Sequence, residues 1–357
     1  MIMEYSFLLK EEHCKLFSAA YGDHADIAEL LLKQGLNPNI KSNTGQTPLM
    51  VASREGNRKT VEILLKHGAE LHITDENRET ALIFAAANGH SDVVEMLLKH
   101  VDDPNSIEDR DIALMAAAFG NHIGTVEMLL KHGADPNLTD KGGRTTLMAA
   151  SSTGRTDVVE MLLKHGADPN LIDNGGRTSL MAASLIGRTD VVEMLLKYGA
   201  ELNSIDNTGM TPLMAAAYEA NADIVDILLK YGADPNYVNK SGANALMAAS
   251  SVDQEEVVDN WGGIKLIAKY GSHADVVEKL LKHGADPNSK NNIGGTALMM
   301  ASFIGQDDVV EMLLKYGADP NLKDKNKVNA LMIAAAKGRA DIFKILLKHG
   351  AEPSFSE

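Results

Sequence analysis

The sequence predicts an all-α solenoid of about ten helix–turn–helix units joined by short β-hairpin loops. Three observations carry that expectation. First, the leucine of a Leu-Met pair (once Leu-Ile) recurs at Leu49, Leu82, Leu114, Leu147, Leu180, Leu213, Leu246, Leu298 and Leu331, at intervals of 33, 32, 33, 33, 33, 33, 52 and 33 residues. A fixed period of this size marks a repeat array rather than the two or three globular domains usual for 357 residues. Second, each copy holds two short apolar runs at helical spacing, in most copies separated and closed by glycine. Third, the hydrophobic share is 45% while aromatics are only 4%. A core built of Ala, Leu, Val and Met suits closely packed helix pairs.

The best-preserved copy, GRTTLMAASSTGRTDVVEMLLKHGADPN at 143–170, justifies each element in order. Thr145 can cap a helix with its hydroxyl, and two other copies place Pro48 or Pro212 at the next position, where a missing N–H costs nothing. The run LMAAS forms the first helix, small enough for a neighbour to approach, and Gly154 ends it with a positive φ. A second helix starts near Asp157, with Glu160 three residues on as a capping-box-like pair. Val158, Val159, Leu162 and Leu163 supply its apolar face. Lys164 and His165 suit the negative end of its dipole, and Gly166 stops it. The remaining ADPNLTDKGGR is turn chemistry between units. No single unit could bury its own apolar face, so stacking makes the core.

The consensus D-x-x-G-x-T-x-L-M-x-A-A-x-x-G-x-x-D-V-V-E-x-L-L-K-x-G-A-D-P-N resembles the ankyrin repeat over nearly the whole chain. One departure runs throughout: the family's T-P-L-H carries Met here, at Met50, Met115, Met148, Met181, Met214, Met247, Met299 and Met332, with Ile83 in the remaining copy. An apolar contact is expected to replace the hydrogen bonds of that His. The resemblance further implies partners that meet a concave face made of hairpin tips and first helices. It also likens Leu129/Asn137 and Leu162/Asn170 to substrates of a cytosolic asparaginyl hydroxylase, although the Pro before each Asn departs from the usual Val.

The expected units are 9–41, 42–74, 75–107, 108–139, 140–172, 173–205, 206–238, 239–290, 291–323 and 324–357 of one array. Glu11, Glu12, His13 and Lys15 make the first helix polar, as a terminal capping repeat requires. Between units three and four, Val101 replaces the helix-ending Gly and the hairpin Ile107–Ile112 is shortened. It reads as a drifted hairpin, or as an acidic contact formed by Glu108, Asp109 and Asp111. Asn121 and Ala220 replace the interhelical Gly. Asn tolerates positive φ but Ala does so poorly, so the turn at Ala220 should be remodelled. Unit eight holds an insertion near 252–271, expected to lengthen the helical finger and add a further helix, with Trp261 packed inward or offered to a partner. At the C-terminal end, Phe343 or Ile345 should be exposed or covered by the SFSE tail.

Composition narrows the function. A net charge of −15 argues against nucleic acid or an anionic membrane as main partner. Cys14 alone permits no intrachain disulfide and no cysteine-based zinc site, in keeping with a reducing, cytoplasmic setting. No phosphate-cradling loop or nucleophile elbow occurs, so the chain is read as no enzyme, without cofactor or metal. His67, His100, His132, His165, His283 and His349 form a ladder, but successive rungs are about 8–10 Å apart, too far to share one zinc. Protein binding remains. Arg54, Phe119, Ser152, Leu185, Tyr218 and Phe303 vary at the end of the first helix, and Arg144, Arg177, Met210 and Val328 vary in the hairpins. With Trp261, the aromatic and arginine members are the types that anchor interfaces; the rival reading packs them against adjoining repeats. The expected function is a non-catalytic scaffold or adaptor for one or more proteins, monomeric or associating end to end through the C-terminal repeat. An effector delivered into a host cytosol and a regulatory subunit of an enzyme are the alternatives.

Overall fold

The computed structural model describes residues 11–100, 106–251, 257–258, 265–266 and 273–353. In chain order the helix pairs are α1 (Glu11–Tyr21) and α2 (Ala25–Lys33), α3 (Pro48–Glu55) and α4 (Arg58–Lys66), α5 (Ala81–Ala87) and α6 (Ser91–Lys99), α7 (Ser106–Phe119) and α8 (Ile123–Lys131), and α9 (Thr146–Thr153) and α10 (Thr156–Lys164). They continue with α11 (Ser179–Ile186) and α12 (Thr189–Lys197), α13 (Pro212–Tyr218) and α14 (Ala222–Lys230), α15 (Ala245–Ala249) and α16 (His273–Lys282), α17 (Ala297–Ile304) and α18 (Asp307–Lys315), and α19 (Ala330–Ala336) and α20 (Ala340–Lys348). These ten pairs are the all-α repeat solenoid that the period predicts. The chain divides into two compact units, Met1–Ala150 with Arg155–Asp168, and Ser151–Gly154 with Pro169–Glu357. Within each unit, first helices pack on first helices (α3 on α5, α11 on α13) and second on second (α4 on α6, α12 on α14).

The caps explain why each pair starts where it does. Thr47, Thr178, Thr211 and Thr296 accept the N–H three residues on, as do Asn244 and Asn329 in the copies that lack Thr. That third residue is the methionine of the departure from the family pattern. Met50, Met148, Met181, Met214, Met247 and Met299 are buried, and Met50 Sδ accepts the Thr47 N–H at 3.2 Å. An apolar contact with a weak acceptor has taken the place of an imidazole. The second helix departs from expectation. It begins at Thr156, one residue before Asp157, with Arg155 as N-cap and no side-chain cap; Asp157 lies in its first turn and Glu160 pairs with Lys164 at 2.7 Å.

Successive units are joined by an asparagine clamp. The Asn of Asn-Pro-Asn and Asp-Pro-Asn turns donates from Nδ2 to the carbonyl of the next unit's helix-ending Gly and accepts, at Oδ1, the N–H two residues beyond. Asn39 does so with Gly68 and Glu70, Asn137 with Gly166 and Asp168, Asn170 with Gly199 and Glu201, and Asn288 with Gly317 and Asp319, all at 2.7–3.3 Å. One planar carboxamide thereby satisfies a donor and an acceptor that the helix end leaves unpaired.

Four expectations need correction. The segment 107–112 is no hairpin: α7 runs unbroken from Ser106 to Phe119. Without Gly or an Asx turn it has no residue suited to a tip. Its extra turn replaces the clamp, because Arg110 donates to the His132 carbonyl at 2.8 Å and Asp111 Oδ1 accepts the Asp135 N–H at 2.7 Å. Asp111 is buried there and offers no acidic contact. Nor is the turn at Ala220 remodelled. Ala220 takes φ 55°, and Asn221 N–H still reaches the Ala216 carbonyl at 2.9 Å, as Arg155 reaches Ala150 after Gly154. The surrounding bonds hold a conformation that alanine disfavours, so Ala220→Gly should stabilise the chain by about 0.5–1 kcal/mol in urea denaturation. An unchanged midpoint would show that no strain is held there.

In unit eight the first helix is not lengthened but ends early, at Ala249 of α15, and the described part of the insertion is a two-residue antiparallel ladder, β1 (Val257–Val258) with β2 (Lys265–Leu266). Apart from that ladder, the residues expected to form a further helix lie outside the described residues. Trp261 lies outside the described residues. At the C-terminal end, Phe343 and Ile345 are half-buried, and Leu347 is the exposed side chain. The SFSE tail also lies outside the described residues.

Candidate protein-binding surface

The positions that vary at the end of the first helix fall on one slot, five residues after the repeat leucine. Its backbone is fixed from the following unit. The residue that precedes each second helix reaches back to the slot carbonyl: Asn57 to Tyr21 at 2.9 Å, His90 to Arg54 at 2.9 Å, His122 to Ala87 at 3.0 Å and Asn221 to Leu185 at 3.2 Å. Arg339 reaches the neighbouring Ile304 carbonyl. Burial holds the His273 imidazole, at the start of α16, below its usual range, opposed by the Tyr218 backbone and by Asp308. These side chains cap helices that would otherwise end on unpaired carbonyls. The sequence signal for this bonding is a donor-bearing Asn, His, Arg or Gln at that place in nearly every copy.

The side chains on the slot differ in availability. In the first compact unit, Phe119 is 69% exposed at the end of α7. Arg54 is half-buried: it bonds Glu55 at 3.0 Å, and its guanidinium stands 5.9 Å from the ring of Phe84 on the adjacent α5. Phe84 occupies the position three residues before the slot, where half of the copies have Ala. In the second unit Leu185 and Tyr218 are half-buried on neighbouring helices α11 and α13. Phe303 is 48% exposed, with the Lys337 ammonium 3.9 Å from its ring centroid. A cation at that distance from an aromatic face is held by the ring quadrupole.

The hairpin arginines are tied to their own turns. In each regular hairpin an Asp or Asn accepts two backbone N–H groups through Oδ1: Asp140 from Gly142 and Arg144, Asp173 from Gly175 and Arg177, and Asp206 from Thr208 and Met210. The second carboxylate oxygen then takes the guanidinium, Arg144 on Asp140 at 2.9 Å and Arg177 on Asp173 at 2.7 Å. Burial would raise the Asp140 carboxyl, but the Arg144 and Gly142 bonds outweigh it and hold the group below its usual range. Arg144 keeps much of its surface, Arg177 about a third, and Met210 is half-buried. Arg54, Phe119 and Arg144 thus belong to one compact unit, and Arg177, Leu185, Met210, Tyr218 and Phe303 to the other.

The histidine ladder is part of the helix ends. His100, His132, His165 and His283 each bond, through Nδ1, the carbonyl four residues earlier at 2.9 Å. Among the described residues no group of three His, Cys, Asp or Glu side chains could hold a metal ion, and no helix is long and apolar enough to cross a membrane.

Comparison with known proteins agrees with this architecture. The family model described as "Ankyrin repeats (3 copies)" matches residues 6–75, 68–140, 114–206, 200–260 and 264–356. Among solved structures, the human ASB11 ankyrin repeat domain is similar in fold, with a TM-score of 0.57 and 23% identity over 68% of this chain and 99% of that one. The ankyrin repeat domain of Bcl-3, a member of the IkappaB protein family, is similar with a TM-score of 0.53 and 27% identity over 66% of this chain and 97% of that one. No curated protein matches the chain.

Proposed function

The chain belongs to the ankyrin-repeat family, and from that premise we propose that it is a non-catalytic scaffold or adaptor, binding one or more proteins through its first-helix slots and hairpin loops. Ankyrin repeats are in general protein–protein interaction modules. The observation that carries the reading here is Phe119, a large aromatic 69% exposed on a slot whose neighbours have their carbonyls held by the following unit. Such an anchor is ordered before a partner arrives, so little conformational entropy is lost on association. Phe303 offers a second anchor, and Tyr218 a flatter contact. The Cys14-only chain is placed in a reducing cytoplasm as part of the same proposal.

Phe119→Ser with Tyr218→Ser should reduce recovery of the bound protein at least about tenfold in affinity purification, since buried aromatic anchors dominate interfaces. Helix content and melting should be unchanged. Loss of helicity in the double variant would show instead that these side chains serve the packing, and full recovery of partner would remove the slot from the interface.

A further inference from the structure

Three successive hairpins of the second compact unit carry a basic edge that the acid-rich composition conceals. Over 238–243, 290–295 and 323–328 they contain Lys240, Lys290, Lys323, Lys325 and Lys327 against one acid, Asp324, on a chain of net charge −15; Asp234, Asp286 and Asp319 lie earlier, in the Asp-Pro-Asn turns. All five lysines are exposed, and among the described residues none of them forms an ion pair. Asp324 Oδ1 accepts the N–H groups of Asn326 and Val328 at 2.8 Å each. The contrast with the hairpin at 75–79 is plain, where Asp75, Glu76 and Glu79 face Arg78. There, burial and the neighbouring Asp75 push the Glu79 carboxyl above its usual range.

The loss of acid on this edge leaves the turn intact. Where other hairpins use Asp75, Asp140, Asp173 and Asp206, these use Asn239 and Asn291. Asn239 Oδ1 accepts Ser241 and Ala243 at 2.9 and 3.0 Å, and Asn291 Oδ1 accepts Ile293 and Gly295 at 3.1 and 2.8 Å. The same Asx turn is kept without its charge. The edge is also held in register. Asn292 N–H bonds the Ser241 carbonyl at 2.9 Å, and Lys325 N–H bonds that of Ile293 at 3.0 Å. Lys240 Nζ bonds the Asn207 carbonyl at 2.7 Å, and Lys290 Nζ that of Lys323 at 3.1 Å. An ammonium spending one donor on such a bond keeps two for a ligand. Beside the lysines, Ile293 is 65% exposed at its hairpin tip.

We propose that this edge docks an acidic peptide segment of a partner protein, its carboxylates on the lysines and an aliphatic side chain on Ile293. It is a surface separate from the first-helix slots. Charge complementarity names the partner's sign, and the chemistry favours peptide over nucleic acid. The edge offers point-charge lysines and an aliphatic anchor, without the aromatic faces and guanidinium planes on which unpaired bases stack. The rest of the chain repels a long polyanion.

Fluorescence anisotropy of the full chain with a short fluorescein-labelled peptide of repeating Glu-Glu-Leu tests this. Binding should appear at about 50 mM salt and weaken strongly by about 200 mM. The triple variant Lys323→Gln, Lys325→Gln, Lys327→Gln should weaken it at least about tenfold, and Lys240→Gln with Lys290→Gln, a second set that serves if the first disturbs folding, should weaken it too. A control with the same loss of charge, Lys99→Gln, Lys131→Gln, Lys164→Gln, should change it little, and Ile293→Ser should weaken it with no change in salt slope. Phe119→Ser should leave it intact, which separates this proposal from the slot-binding one. No binding at low salt, or equal weakening by the control triple, overturns the proposal. So does tighter binding of a single-stranded oligo-uridylate that displaces the peptide.

Discussion

Leu228→Ala is expected to lower stability by about 3 kcal/mol, against less than about 0.5 kcal/mol for Lys230→Ala two residues later. Leu228 is fully buried in α14, which packs against α12, α13 and α16. Lys230 pairs with Asp226 at 2.6 Å, but its side chain is 66% exposed, and such pairs contribute little. The size of the first effect follows from the composition of the core. The facing first helix is Pro-Leu-Met-Ala-Ala-Ala-Tyr, whose alanines let the helices approach but have no flexible chain to fill a void. A cavity left by Leu228 therefore stays open, and the cost includes the cavity as well as the lost burial. In a repeat protein each unit leans on its neighbours, so the damage should also show as a shallower urea transition when one unit melts ahead of the rest. Urea denaturation followed by circular dichroism measures both variants. Equal midpoints would mean that the second helices do not carry the core.

The parts of the structure that were legible in the sequence are those set by local rules repeated many times. Helix lengths, glycine stops and threonine caps depend on a few adjacent residues, and nine aligned leucines leave little freedom in placing them. The role of Met50 and its equivalents was legible too, because a thioether in a buried first turn has few alternatives. What escaped notice was bonding between units. Asn39 and Asn137 look like ordinary turn residues until the next unit's Gly carbonyl is placed 3.3 and 3.1 Å from their amides. His90 and Asn221 look like linkers until the preceding helix end is seen beside them. Both patterns recur at the same period as the leucines, so the signal was present but its partner was one unit away. Ala220 was misjudged for a related reason: local preference argued for a remodelled turn, whereas Asn221 and Ala217 hold the turn from both sides. At the candidate site, residue type identified Phe119 and Phe303 correctly as exposed aromatics. It could not show that Arg144 and Arg177 fold back on their own aspartates, since an Asx turn with a free second oxygen is a matter of geometry.

Gly242→Ala is the hairpin change with the largest expected effect, about 2 kcal/mol, and it bears on the basic edge as well as on stability. Two costs coincide there. Gly242 takes φ +75°, which a Cβ disfavours, and that Cβ would stand 2.8 Å from the Asn292 backbone nitrogen and 2.6 Å from its Oδ1. The obstacle is main chain of the following hairpin, which cannot move without breaking the Asn292 bonds to Ser241 and Lys240. Gly232 provides the comparison, with φ +95° and nothing within 4 Å of an added Cβ. Gly232→Ala should cost only the conformational part, about 1 kcal/mol. The difference between the two variants in urea denaturation isolates the close approach of one hairpin to the next. If Gly242→Ala also displaces the hairpin of Lys290 and Ile293, binding of the acidic peptide should fall with it, while Gly232→Ala leaves binding unchanged. Equal costs for the two alanines would mean that neighbouring hairpins yield freely, and a row of lysines on yielding hairpins would not be the prearranged edge that an acidic segment needs.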